Sequence, residues 1–298
     1  MENGSSILYQ IKFRKVLFYF LIPILLYLFI VILPLCTAFY YSLNMTTNFT
    51  LVWNGLDNYV KILSDDIFWL SLKNNIFIMI FAIITQLVPA FIIMVMISTG
   101  YVFKSKFVQS VFFFPCVISA IVVSYLWQIM YDNQTGVFNT LLRLVGLESL
   151  QQNWLADPKI VMTSICIPLA WQFIGYYLVI LLSGMSAIDK EILEVAEIDG
   201  ATGLKKSVYI ILPLMKNTIS VVMLLSVTGS IKIFDQVFAM TGGGPGYASN
   251  VLGMYSYIVS FKQANYGYGS AISISMLIIS LLLIGVMSLI KKAVSRND

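Results

Sequence analysis

Histidine is absent from all 298 positions of the sequence. Its absence removes the side chain most often used as a general base or metal ligand near neutral pH. Cysteine is scarce as well. Cys36, Cys116 and Cys166 all fall inside apolar stretches, which suggests neither a disulfide framework nor a thiolate metal cluster. Charge is thin too: Asp, Glu, Lys and Arg make up 11% of the chain against 59% hydrophobic residues, far from the composition of a soluble domain. A soluble-type active site is hard to build from this inventory. A polytopic membrane protein is what remains, and its formal net charge of +4 follows topology rather than nucleic-acid binding.

A membrane helix needs about 20 apolar residues. Six stretches qualify: 16–41, 76–99, 107–131, 160–185, 218–240 and 270–290. The first follows Lys12, Arg14 and Lys15. A cleaved signal peptide would have a shorter apolar core ending in small residues, so this stretch reads as a retained span. The third ends in Trp127, Gln128 and Tyr131, an interface-type cluster. Of the eighteen Lys and Arg, twelve fall in the N-terminus, the Lys104 loop, the 189–217 loop and the C-terminus. Positive-inside bias therefore predicts that both termini face the cytoplasm.

The loop at 189–217 holds five acids and four lysines, so it lies outside the bilayer. Asp189 is placed to cap a helix, with Ile188, Ile192, Val195 and Ala196 on one face and Glu191, Glu194 and Glu197 on the other. Gly200 ends that helix, as glycine does where the backbone turns left-handed. Thr202 can cap a second helix running toward Leu212 and Pro213. Two helices around a glycine turn on the membrane face make a docking element.

Glu194-Val195-Ala196-Glu197-Ile198-Asp199-Gly200-Ala201, followed by Ile210-Ile211-Leu212-Pro213, resembles the EAA loop of binding-protein-dependent ABC importer permeases. The resemblance is to the carbohydrate branch, the maltose, multiple-sugar and glycerol-phosphate permeases. Val195 stands where that pattern has alanine, Leu204 and Ser207 where aromatics are common, and Asn217 where a second proline is usual. A second series is similar to the same branch: Phe234-Asp235, Thr241-Gly242-Gly243-Gly244-Pro245, Phe261, and Tyr266-Gly267-Tyr268 with Ala271-Ile272. The outward segment 132–159, with Asn133, Gly136, Asn139 and Trp154, also looks like the loop these permeases carry at that place.

The resemblance implies an all-α membrane protein of six transmembrane helices, with the type I ABC importer permease fold and a cytoplasmic coupling helix. Residues 1–70 would form the N-terminal helix and first external loop, 71–290 the permease core and 291–298 a cytoplasmic tail. It implies ATP-driven import of an oligosaccharide or related glycoside by alternating access in a bacterial cytoplasmic membrane. Glu194, Ala196, Asp199, Gly200 and Ala201 would couple the chain to its motor. The implied partners are a second permease subunit, two ATPase subunits and an extracytoplasmic solute-binding protein, with the lipid bilayer around them and no nucleic acid. No cofactor is expected in this chain, since ATP and Mg would sit on the ATPase subunits.

The residues themselves agree that no ATP site is present. In 200–207, Leu204 separates Gly203 from Lys205, whereas a phosphate loop needs Gly-Lys-Ser/Thr. The run 241–246 has no lysine after it. A transporter subunit rather than an enzyme is expected.

A sugar path needs amides and hydroxyls for hydrogen bonds and an aromatic face for C–H surface. Gln128, Gln172, Tyr176, Asp235 and Gln236 are the expected path residues, with helix packing or interfacial anchoring as the competing role of each. Lys232 and Asp235, three apart, are expected to meet on one helical face. Three other functions compete. An ABC importer for a non-sugar solute would share the 189–217 loop. A secondary transporter would carry charges near the midplane, where these spans have almost none. A membrane scaffold would need neither the loop nor the glycine run.

Overall fold

The computed structural model describes residues 13–47, 50–102 and 104–296. Lys12 of the basic N-terminus and residues 297 and 298 of the expected tail lie outside them. Over the described residues the chain is helical, as expected, with one small hairpin of strands outside the spans. From the N-terminus the elements are α1 (Tyr19–Ser42), β1 (Asn44–Thr47), β2 (Thr50–Trp53), α2 (Asp57–Leu63) and α3 (Asp66–Ser98). Then come α4 (Ser105–Val117), α5 (Ala120–Met130), α6 (Val137–Leu144), α7 (Val161–Ser186) and α8 (Lys190–Ile198). The rest are α9 (Gly203–Leu214), α10 (Lys216–Ile231), α11 (Asp235–Met240), α12 (Leu252–Tyr257) and α13 (Tyr266–Arg296).

Among the described residues, α1, α3, α7 and α13 are each long and apolar enough to cross a membrane alone. Two bent pairs bring the number to as many as six if each pair crosses once: α4 with α5, at 96°, and α9 with α10, at 78°. The apolar runs thus fall on helices where expected, with two corrections. The third is broken at Ile118 and Ser119, whose backbones are extended. The fifth stops at Ile231, and Asp235–Met240 is a separate short helix.

Three spans or span starts contain a widened π turn, at Leu28–Ile32, Ile83–Leu87 and Ser207–Ile211. Each ends two residues before a proline: Pro34, Pro89 and Pro213. Proline has no N–H to donate and its ring crowds the carbonyl one turn back, so a wider turn relieves both problems without breaking the helix.

Two packed clusters run along α7. One joins it to α5 and α11 through Val123, Ile165 and Val237; the other joins it to α3 and α10 through Ala90, Met94, Leu178 and Val222. Gly175 is what lets α4 lie against α7, since a β-carbon there would stand 2.0 Å from the Phe112 carbonyl oxygen. The end of α1 and the starts of α3 and α13 are tied by polar groups. Asn58 donates to the Ser42 and Asn44 carbonyls, both at 2.9 Å. Asp65 caps α3 by accepting from Ile67 N–H at 2.9 Å and also accepts from the Tyr255 hydroxyl at 2.6 Å and from Tyr268.

Candidate functional site

The helix breaks leave backbone carbonyls without helical partners, and in a bilayer there is no water to satisfy them. Side-chain amides from distant elements take that role. Gln172 on α7 donates to the carbonyl of Ile118, at the kink of the third span, at 2.9 Å. Gln128 on α5 donates to Ala239 and Met240 at the end of α11, at 2.7 and 2.9 Å. Asn75 on α3 donates to Ser230 and Ile231 at the end of α10 and accepts from Leu252 N–H at the start of α12. Asn74 holds the Ala248 and Asn250 carbonyls of the loop between them. Gln86, in the widened turn of α3, donates to Leu169 on α7 at 3.1 Å.

Beside Gln86 lies a cavity of about 210 Å³ whose wall is mainly apolar, with Ile78, Leu169 and Phe173 on it, and which Tyr177, Ser230, Lys232, Asp235 and Gln236 also border. Of the five residues expected on the solute path, Asp235 and Gln236 border it. Gln172 lies one step behind, its Oε1 accepting from Gln236 Nε2 at 3.1 Å. Gln128 is spent on the α11 carbonyls. Tyr176 is half-buried with its ring edge-on to Tyr177, 5.2 Å between centroids, and it is Tyr177 that faces the cavity.

Lys232 and Asp235 do not share a helical face, contrary to the expectation. Lys232 is the C-cap of α10 and Asp235 opens α11. The field of the peptide dipoles gives the reason: a cation is favoured at a helix C-terminus and an anion at an N-terminus. Trp127 and Tyr131 are buried at the end of α5, and both pack on Phe138.

The 132–159 segment is ordered by Asn139, which is fully buried. It donates to the Gln152 carbonyl and accepts from Trp154 Nε1, both at 3.0 Å. That accounts for the Asn139 and Trp154 pair in the sequence pattern.

Between the fourth and fifth spans stands the helical hairpin. Asp189 caps α8 by accepting from Glu191 N–H at 3.0 Å. At the other end Gly200 has φ +82°. Its N–H reaches the Glu197 carbonyl at 3.0 Å, while Ala201 N–H reaches the Ala196 carbonyl at 2.8 Å. This pair of bonds is the Schellman stop, and it needs the left-handed residue that glycine supplies. Thr202 occupies the next cap position, yet its side chain makes no capping bond. Lys206 Nζ then meets Glu197 Oε1 at 2.6 Å and closes the hairpin.

The faces of α8 depart from expectation. Ala196 is buried and Leu193 packs with the inner cluster, but Ile192 and Val195 are exposed beside Ile198 and Leu204. Glu194, Asp199 and Gly200 are exposed around them. An apolar row in a rim of carboxylates is therefore left uncovered on the hairpin.

A bundle of kinked spans held by amides beside a small, mainly apolar cavity, with a capped helical hairpin between two of the spans, is the architecture of a multi-pass membrane transport subunit. The chain matches the family described as "Binding-protein-dependent transport system inner membrane component" over residues 5–296, and it belongs to that family. It is 34% identical over 267 residues to the probable ABC transporter permease protein YurN of Bacillus subtilis, covering 89% of this chain and 91% of that one. It is 27% identical to the trehalose/maltose transport system permease protein MalF of Thermococcus litoralis, covering 92% of each. Its fold is similar to a subunit in the crystal structure of a bacterial ABC transporter that imports the acidic polysaccharide alginate. There the TM-score is 0.80 at 20% identity, over 94% of this chain and 96% of that one.

Proposed function

We propose that the chain is a permease subunit of an ATP-driven importer of oligosaccharides or related glycosides, working by alternating access. The observation that carries this reading is the uncovered row Ile192, Val195, Ile198 and Leu204 on the α8–α9 hairpin, edged by Glu194 and Asp199. Exposed apolar side chains rimmed by charge mark an interaction surface. Here they sit on an element that runs into α10 through a bend of 78°, so a force applied to the hairpin reaches a span directly. The partner is an ATPase subunit. Ala196 packs the hairpin against its own bundle, Gly200 and Ala201 fix the turn, and Glu194 and Asp199 supply polar contacts at the rim.

The cavity of about 210 Å³ is smaller than the ~300–1,000 Å³ usual for ligand sites. A second permease subunit therefore supplies the other wall of the path, and the solute reaches it from an extracytoplasmic binding protein. The carbohydrate assignment is supported by the relatives' names. The distribution of Lys and Arg supports a hairpin and termini on the cytoplasmic side.

The test is to purify the chain with its companions and measure ATP hydrolysis. Glycan-loaded binding protein should raise the rate. Stimulation by an amino-acid- or phosphate-loaded protein instead, or the lack of any ATPase bound to the hairpin, would overturn the reading.

A further inference from the structure

Two short helices outside the spans each turn an asparagine inward and an apolar stripe outward. At α2, Asn58 is buried while Leu56, Val60 and Leu63 are exposed. At α6, Asn139 is buried while Val137, Leu141 and Leu144 are exposed. Each exposed set is spaced i, i+4, i+7, which makes one stripe on a helix, opposite the asparagine. Both helices stand at the same end of the bundle. The last residues of α3 and α7, Ser98 and Ser186, border a cleft with Leu193 and Glu194 of the hairpin, so their first residues lie at the opposite end. Asn58 ties α2 to the Ser42 and Asn44 carbonyls at the end of α1, beside the exposed rings of Phe39 and Tyr40. Phe138 of α6 stacks on Tyr131 at 5.3 Å between centroids, and the Tyr131 hydroxyl donates to Ser164 in the first turn of α7 at 3.0 Å. With 26 residues, α7 is about 39 Å long at ~1.5 Å per residue, against ~30 Å of hydrocarbon. Its first turn, and α6 with it, therefore lies at the lipid headgroups. Trp53 and Trp69 stand exposed around α2, Trp69 Nε1 donating to the Leu63 carbonyl at 3.1 Å. Tryptophan favours that depth.

We infer that α2 and α6 are interfacial helices, lying in the membrane leaflet opposite the hairpin with both apolar stripes at the boundary between headgroups and acyl chains. That this is the outer leaflet rests on the orientation proposed above; the insertion itself does not. A soluble partner that docks and leaves would bare both stripes to water at each departure, whereas a leaflet covers them throughout. Seated there, the two helices fix the depth of the end of α1 and of the start of α7.

The test places a fluorescent amino acid at Val60 or at Leu144, both exposed, so that neither replacement disturbs packing. The full-length chain in its complex is then set in nanodiscs of phosphatidylcholine brominated along its acyl chains. Bromine should quench both labels, and depth analysis should put them about 5–10 Å below the headgroup surface. Added binding protein should leave the quenching unchanged. A label quenched only by aqueous iodide would overturn the inference, as would one that the binding protein or a companion subunit shields from lipid. Benzoylphenylalanine at the same two positions gives a second readout, since irradiation should yield adducts to phospholipid by mass spectrometry. Adducts to a protein instead would make the stripes a subunit or docking contact and sink the insertion. None of these readouts depends on transport, so they stand apart from the test of the importer assignment.

Discussion

Lys206 and Glu197 meet at 2.6 Å across the Gly200 turn, with the lysine side chain 8% exposed and the glutamate 58%. The asymmetry decides what each substitution does. Glu197→Gln leaves a buried ammonium facing a neutral amide, whereas Lys206→Met leaves a carboxylate that water can still reach. Because the glutamate is half in solvent, breaking the pair costs about 1 kcal/mol rather than the several of a fully buried pair. The single variants should differ, Glu197→Gln melting lower, and the double variant should recover part of the loss. Thermal melting of the purified complex measures all three.

Gly200 has open space where a β-carbon would go, so its strain is purely a backbone matter. A β-branched residue forced to φ +82° costs about 1–2 kcal/mol. Gly200→Val should reach the membrane in normal amount yet lose stimulated ATP hydrolysis and uptake. Gly200→Asn, which tolerates the left-handed region, should keep most of both. Normal uptake by the valine variant would remove the hairpin from the coupling role.

Asn75 satisfies three backbone groups on two elements: the Ser230 and Ile231 carbonyls and the Leu252 N–H. Each buried group left unpaired costs about 1–3 kcal/mol. Asn75→Leu should therefore lower the melting temperature more than any surface change. Asn75→Asp, which keeps the acceptor for Leu252 but sets a carboxyl oxygen against the Ser230 and Ile231 carbonyls, should fall at least as far. Differential scanning fluorimetry in detergent distinguishes the three proteins.

Burial pushes the Asp65 carboxyl up, but hydrogen bonds from Tyr255, Tyr268, Phe68 and Ile67 outweigh it and hold the group below its ordinary value of 3.8. A depressed carboxylate contributes stability that is present above the unfolded value, about 3.9, and is lost as pH falls through the folded one. The tie that Asp65 makes among α3, α12 and α13 should weaken only below about pH 4. Asp65→Asn should flatten that acid dependence while lowering stability at neutral pH. Proteolysis of the 57–66 segment across a pH series reads it out.

Features decided by neighbours in the chain were legible beforehand. Asp189, Gly200 and the apolar runs are of this kind, because caps, left-handed stops and span length depend on a few adjacent residues. The clamps were not. Gln172 and Ile118 are 54 residues apart, and Asn75 and Leu252 are 177, and no period or spacing announces such a pairing. The 231–235 break hid because an apolar run looks the same whether one helix or two cross it. Ile192 and Val195 pointed the wrong way for a related reason: helical spacing defines a face, but does not say whether the chain's own core or another protein covers it.

The wide turns that precede Pro34, Pro89 and Pro213 each hold one more residue per turn than the helix around them. Such a surplus can be passed along a helix one hydrogen bond at a time, twisting what lies below against what lies above. In the last of the three, that makes the Pro213 region a swivel between the hairpin and α10. Under the coupling role proposed for the hairpin, its rotation would be handed to α10 across the bend at Met215.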